Sequence, residues 1–135
     1  MTKRRKTIGM PKRREFNLRR HIVTALRRAW LRTPERYAVK QRVRHETKRH
    51  LFRCELCDGY FEKVTIDHIV PIVNPEEGFE DWSTFIKKLF VAASDLQSLC
   101  HDCHSEKTKE ENVRRREARK AKTKEKRRRG KHERP

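Results

Sequence analysis

The sequence has little apolar material from which to build a core. Of its 135 residues, 33% are hydrophobic, 7% are aromatic and four are glycine. A domain so poor in apolar residues usually depends on a bound metal, disulfides or a partner for its stability. There is also no run of about 18 apolar residues, so no membrane-spanning helix is expected.

The N-terminal segment "MTKRRKTIGM" is basic, but no apolar run follows it as in a secretory signal peptide. These features favour a cytoplasmic protein. In that compartment, four cysteines arranged as two C-x-x-C pairs indicate metal binding rather than disulfides.

The formal net charge of +18 is distributed unevenly. Residues 1–53 contain 19 Lys and Arg against 3 Asp and Glu, residues 54–112 contain 5 against 13, and residues 113–135 contain 13 against 3. An acidic module therefore lies between two basic arms. Such arms favour nucleic acid as the partner, because each neutralised phosphate releases counterions. A membrane surface is less favoured, since neither arm has an amphipathic helix with a large apolar face.

Apolar spacing and capping residues predict helices before the first cysteine. Apolar positions at helical spacing indicate a helix over residues 16–32 with an arginine-rich outer face. Thr33 and Pro34 suit the start of a second helix over 34–48, which is either solvated or faces DNA. The Asp58-Gly59 turn signal then predicts short strands, with a hairpin that carries "TIDHIVP".

Two further helices are predicted in the second half of the chain. The segment "DWSTFIKKLF" predicts a helix over 81–90 whose apolar residues share one core-facing side, namely Trp82, Phe85, Ile86, Leu89 and Phe90. A final helix is expected from about Leu96 through Asn112. Residues 113–129 are good helix formers without Gly or Pro, so the helix either continues as a basic rod or orders only on nucleic acid.

Cys54, Cys57, Cys100 and Cys103 form a four-thiolate set of the kind that binds zinc tetrahedrally. A structural zinc is predicted, with a redox-active dithiol or an iron–sulfur cluster as the alternatives. Between Cys57 and Cys100 lie 42 residues, more than the roughly 15–20 of a minimal zinc ribbon. The hairpin and the 81–90 helix are expected to fill this gap.

Asp67 and His68 stand side by side in "IDHIVPI", where Pro71 is expected to end a strand. Alone, the pair is explained as a solvated Asp and a hydrogen-bonded His at a strand end. His104 adds weight to a functional interpretation, because on a helix it lies about 100° from Cys103 and is free for another task. His101 is the competing candidate.

The series "CELC", "IDHIVPI" and "DLQSLCHDCHSEKT" resembles the zinc-containing branch of the HNH endonuclease family, and in particular the small enzymes common in bacteriophage genomes. The resemblance implies an α+β fold, a small zinc-stabilised ββα-metal module. The expected division is a disordered basic arm over residues 1–15, a basic helical DNA-binding extension over 16–53, the HNH domain over 54–112 and a basic helical or disordered tail over 113–135.

The same resemblance implies a role for each candidate residue. His68 would be the general base that activates water, and Asp67 and His104 would hold one catalytic divalent cation, Mg²⁺, Mn²⁺ or another. The cation would stabilise the departing 3′ oxygen. Asp95 replaces the family's Asn and, while ionised, can only accept hydrogen bonds. It is expected either to pair with the imidazolium of His68 or to act as an extra metal ligand.

The favoured function is a DNA endonuclease of low sequence specificity that nicks or cuts duplex DNA, acting in the host cytoplasm if phage-encoded. Backbone contacts are expected from Arg4, Arg5, Arg13, Arg14, Arg19, Arg20, Arg27, Arg28, Arg114, Arg115 and Arg116. The alternative is a non-catalytic zinc-bound protein that binds DNA or RNA, which would have no need of Asp67, His68 and His104. A third interpretation, from family context, is an accessory role in phage DNA packaging with the terminase as partner.

Overall fold

The computed structural model describes residues 15–132, with side chains described for residues 15–130. Its elements, in chain order, are α1 Leu18–Trp30, α2 Pro34–Arg42, β1 Phe52–Arg53, β2 Tyr60–Phe61, β3 Thr65–His68, α3 Trp82–Leu89, β4 Leu96–Leu99 and α4 His101–His132. The mixed α and β composition agrees with the predicted class. None of the helices in this part of the chain is long and apolar enough to cross a membrane.

Strands β3 and β4 pair antiparallel, with Thr65 opposite Leu99 and His68 opposite Leu96. The chain leads from β4 into α4, which packs on the same two strands, so β3, β4 and α4 form a ββα unit. On the sheet face that carries Ile66 and Leu96, Val39 of α2 completes a fully buried cluster. The core therefore joins α2 to the strands and crosses the expected boundary at residue 53.

The strand that carries "TIDH", expected to form part of a hairpin, pairs with a strand distant in the sequence. The Asp58-Gly59 turn joins β1 to β2, which pair with each other, whereas the "TIDH" strand pairs with residues 96–99 across a long connection. Asp58 adopts a left-handed φ of 59° in this turn. A Cβ at Gly59 would lie 2.8 Å from the Phe61 ring, so a larger residue there would require this exposed ring to move.

The predicted start of the final helix was wrong. Leu96, Ser98 and Leu99 are buried because they belong to a strand covered on both faces, and the helix begins only at His101. Cys100 therefore precedes α4 rather than lying on it. Beyond residue 112 the helix is continuous to His132, which corresponds to the helical alternative for the tail.

Helix α2 begins at Pro34 as predicted, but it ends at Arg42 rather than near residue 48. The chain leaves the helix because residues 43–45 pair with 51–53, through the Arg53 amide to the Val43 carbonyl at 2.8 Å and the His45 amide to the Leu51 carbonyl at 2.9 Å. Val39 and Val43 are fully buried. Helix α2 is thus a core element on one side, unlike the solvated helix that its polar composition allowed.

Helix α3 confirms the predicted 81–90 helix, with Asp81 as its N-cap through a 2.8 Å hydrogen bond from the Thr84 amide. Its core-facing side is narrower than predicted. Phe85 and Leu89 are buried, whereas Ile86 and Phe90 are each 41% exposed.

Candidate active site and zinc centre

The four cysteine sulfurs converge although they come from segments more than 40 residues apart. All four Sγ atoms lie within 4.8 Å of one another, and those of Cys57 and Cys100 are 4.0 Å apart. Tetrahedral zinc with sulfur ligands at about 2.3 Å requires sulfur separations of about 3.8 Å. Within the described residues, this is the one group of three or more Cys, His, Asp or Glu that could hold a metal. The cluster fits the predicted structural zinc.

The cysteine thiols differ in how readily they ionise. Burial opposes ionisation of Cys54, but amide hydrogen bonds from Cys57, Cys100 and Leu56 outweigh it and lower its pKa to about 6. In contrast, the neighbouring Cys100 sulfur, together with burial, raises the pKa of Cys103 to about 12. Four thiolates this close repel one another, so a bound Zn²⁺ is what allows all of them to ionise.

Polar contacts that no sequence pattern had indicated join the first cysteine pair to β4. The Glu55 amide donates to the Ser98 carbonyl at 2.8 Å, and the Ser98 amide donates to Oε2 of Glu55 at 2.7 Å. Arg42 at the end of α2 donates to Glu55 and to the Ala93 and Leu96 carbonyls, each at 3.0 Å. The Arg42 guanidinium thus joins α2 to the turn that carries Cys54 and Cys57 and to β4. The presence of Glu55 in "CELC" does not by itself indicate this contact.

His68 is 4% exposed, at the last position of β3. Its Nε2 lies 2.8 Å from the Leu89 carbonyl oxygen. Because a carbonyl can only accept, Nε2 carries the proton and Nδ1 keeps its lone pair. Burial, the largest influence, lowers the pKa of His68 below its usual value, and the Leu89 hydrogen bond and the charge of Asp67 oppose this only in part. The ring is therefore a neutral imidazole with a free acceptor nitrogen, the form that a general base requires.

An aromatic contact from α1 holds the His68 ring from another side. The Trp30 ring centroid lies 4.6 Å from that of His68, and the Arg36 guanidinium lies over Trp30 at 4.7 Å. Sequence reasoning assigned Trp30 only to the apolar side of a helix. No local signal links it to His68, because 37 residues separate them.

Asp67 points toward α4, whereas His68 points toward α1 and α3, as successive strand residues do. The Lys107 ammonium donates to Oδ2 of Asp67 and to the His68 carbonyl, and it lies 3.6 Å from Oε1 of Glu111. An oxygen-lined position next to Asp67 thus already holds a positive charge. Hard oxygen donors of this kind are the ligands that Mg²⁺ and Mn²⁺ prefer.

His104 lies on α4, one turn before Lys107, so its side chain is about 60° from that of Lys107 around the helix axis. It is half-buried, and no hydrogen bond to its ring nitrogens is formed within the described residues. The structure places His104 on the helix that packs against β3. The residue that directly contacts Asp67 is Lys107 rather than His104.

Asp95 lies just before β4, beside the end of β3. Its carbonyl accepts a hydrogen bond from the Ile69 amide at 3.0 Å. Its side chain is exposed, and the nitrogen of His68 that forms a hydrogen bond does so with Leu89. The expected pairing of Asp95 with His68 is therefore not formed here.

The arginines predicted to bind nucleic acid fall into three groups. Arg4, Arg5, Arg13 and Arg14 lie outside the described residues. On α1, Arg19, Arg20, Arg27 and Arg28 are exposed, as are Arg114, Arg115 and Arg116 on α4. Arg19 lies over the Phe79 ring, Arg114 pairs with Glu76 at 3.3 Å and Arg115 bonds Asn112 at 2.8 Å.

A ββα unit with four converging cysteines defines a small zinc-binding module. Comparison with known proteins shows 32% identity over 92 residues to the probable HNH endonuclease of Lactococcus phage SK1, covering 67% of this chain and 86% of that protein. No protein-family model matches the chain, and neither does any solved structure. The chain belongs to the HNH endonuclease family, a family of nucleases.

Proposed function

We propose that this chain is a metal-dependent endonuclease that hydrolyses DNA phosphodiester bonds. The observation that carries the proposal is the state of His68, a buried neutral imidazole with its proton held at Nε2 by the Leu89 carbonyl. The Leu89 hydrogen bond leaves Nδ1 of His68 as an acceptor, and the preceding residue, Asp67, has a carboxylate that binds a cation, the ammonium of Lys107. Both features are needed to activate a water for attack on a phosphodiester.

His68 would take a proton from the attacking water at Nδ1. The hydrogen bond to Leu89 fixes the tautomer, and the contact with Trp30 restrains the ring plane. Because burial keeps the ring neutral, most molecules are ready to accept a proton at neutral pH.

Asp67 and His104 would hold the catalytic divalent cation, Mg²⁺ or Mn²⁺. Such an ion, when bound, neutralises charge on the scissile phosphate and stabilises the departing 3′ oxygen. Asp67 has a hard carboxylate oxygen, and the ring nitrogens of His104 form no hydrogen bond with any described group.

The exposed arginines of α1 and α4 would bind the DNA backbone on either side of the acidic module. Contacts to phosphates fix position but carry no sequence information, so low sequence specificity is expected. The choice between nicking and double-strand cleavage, a role in phage DNA packaging and a terminase partner stay predictions.

A supercoiled-plasmid assay tests the proposal, using zinc-loaded protein with Mg²⁺, Mn²⁺ or EDTA. His68→Ala should lose cleavage by about 10²–10⁴-fold, the usual contribution of a general base, while DNA binding persists. His68→Gln serves as a second variant that preserves more of the buried volume. His50→Ala, at an exposed histidine, should cut like the wild type.

If the zinc-loaded wild type binds nucleic acid but cuts neither DNA nor RNA with any of these metals, the enzyme proposal fails. The chain would then be a non-catalytic zinc-bound DNA- or RNA-binding protein.

A further inference from the structure

Lys107 is far less exposed to solvent than Lys109, its neighbour on α4. Its side chain is 20% exposed, whereas that of Lys109 is 68% exposed and pairs with Glu106 at 2.9 Å. Lys107 is also surrounded by oxygen atoms from two elements, the Asp67 carboxylate and the His68 carbonyl on β3 and the Glu111 carboxylate on α4. A lysine on the solvent-facing side of a helix would be expected to pair only with an acid four residues further along, which here is Glu111.

The Lys107 ammonium contacts the carboxylate that the proposed catalytic cation would have to bind. It donates to Oδ2 of Asp67, and it lies within one helical turn of His104, the second proposed ligand. A divalent ion binds a carboxylate oxygen at about 2.0–2.1 Å. An ammonium on the same carboxylate would then face a double positive charge in a partly buried position, where the repulsion is poorly screened.

We propose that Lys107 is an internal cation that competes with the catalytic metal for Asp67. This inference rests on the proposed function, which assigns Asp67 as a metal ligand. In the metal-free protein, Lys107 neutralises Asp67 and keeps the carboxylate bound. When the metal binds, it displaces the ammonium from Asp67, and Glu111 remains as the partner of the displaced side chain. The free-energy cost of that displacement weakens metal binding, so the nuclease stays idle until the divalent cation is abundant.

The test measures Mn²⁺ binding to the zinc-loaded full chain by isothermal titration calorimetry, with no DNA present. Lys107→Met removes the competing charge and should raise the Asp67-dependent affinity by about tenfold, because half-buried charge-assisted pairs are among the stronger hydrogen bonds. Lys107→Gln is a second neutral variant in case the first fails to fold. Lys109→Met removes an exposed charge from the same helix, and it should bind Mn²⁺ like the wild type.

Thermal unfolding gives an independent readout. A ligand that binds more tightly raises the melting temperature more, so Mn²⁺ should stabilise Lys107→Met by more than it stabilises the wild type or Lys109→Met. Equal or weaker Mn²⁺ affinity in both Lys107 variants would overturn the inference.

Asp67→Asn separates this failure from a failure of the proposed function. If Mn²⁺ affinity falls in Asp67→Asn but does not rise in the Lys107 variants, the competition is wrong and the metal site stands. If Asp67→Asn binds Mn²⁺ like the wild type, Asp67 is not a ligand, and both the inference and the assignment of Asp67 fail.

Discussion

Two residues far away in the chain set the tautomer and the position of the His68 ring. Leu89 fixes the proton on Nε2, and Trp30 covers the ring. Asp95, at the position where the family has Asn, contributes only its carbonyl to the strand end. Its carboxylate is exposed and forms no hydrogen bond in the described part of the chain. Because the Asp95 backbone contacts Ile69, the residue after His68, we expect this negative charge to disfavour a phosphate that approaches His68.

Asp95→Asn should raise the plasmid cleavage rate severalfold. The amide removes a charge that repels the phosphate, and it can donate as well as accept hydrogen bonds. Single-turnover cleavage at fixed Mg²⁺ and salt measures the change. Asp102→Asn is a matched control, because Asp102 is an exposed acid in the first turn of α4. A lower rate in Asp95→Asn would mean that the carboxylate itself binds metal or pairs with His68.

Helices α1 and α2 each contact the strands that carry the candidate site. Trp30 of α1 contacts His68, and Val39 of α2 packs with Ile66 and Leu96. The local patterns predicted most helices, since Pro34 at the first helical position and the apolar spacing of residues 82–90 each act within a few residues. The same patterns misassigned residues 96–99, because a run of four residues cannot show that its partner strand lies 30 positions earlier.

Trp30→Ala should lower both stability and cleavage, whereas Trp30→Phe should restore most of the cleavage by keeping an aromatic ring against His68. The free energy of unfolding should fall by about 2–3 kcal/mol, less than the 3–5 of a fully buried aromatic residue. Denaturant unfolding and single-turnover cleavage measure the two effects.

Trp82→Ala is the control for Trp30→Ala. Trp82 is also half-buried, but it packs on Phe79 and Phe85, and its ring makes no aromatic contact with His68. At a temperature below the melting points of both variants, Trp82→Ala should cut DNA far faster than Trp30→Ala. Equal losses of cleavage in both variants would show that Trp30 acts only through stability.

The whole molecule is held together by a small core and by the zinc centre. In the described part of the chain the buried residues form two small hydrophobic clusters, one of which consists of Leu99 with the cysteines themselves, and a few further buried apolar side chains lie outside both. A zinc ion held by the four cysteines would join the β1–β2 turn to the start of α4. We therefore expect the fold to depend on metal, as the composition predicts.

Zinc removal should unfold the protein. Structural zinc in small domains contributes on the order of 10 kcal/mol, which exceeds what two small clusters can replace. Circular dichroism during chelation, with released zinc quantified, should show loss of the fold at one zinc per chain. Adding Mg²⁺ should not restore it, whereas Zn²⁺ should. A chelated protein that kept its melting temperature would contradict the zinc assignment.

DNA binding should depend steeply on salt, with the basic surface of α4 responsible for part of the slope. Replacing Arg114, Arg115 and Arg116 together by Gln should reduce the slope of log affinity against log salt by up to about 0.9 for each phosphate that the variant no longer neutralises. Fluorescence anisotropy with duplexes of different sequence measures it. Replacing Lys63, Lys87 and Lys88, which belong to the acidic module, should change the slope less. Equal effects would argue against a specific role for α4.

Spacing and composition were sufficient to predict the two C-x-x-C pairs, the basic arms, most of the helices and the Asp67-His68 pair. These are readable because each acts within a few residues. The β3–β4 pairing, the tautomer of His68 and the contact of Lys107 with Asp67 depend on how the chain packs. Each of these joins residues 21 to 40 positions apart, and their contacts arise only when the strands, helices and cysteines pack together.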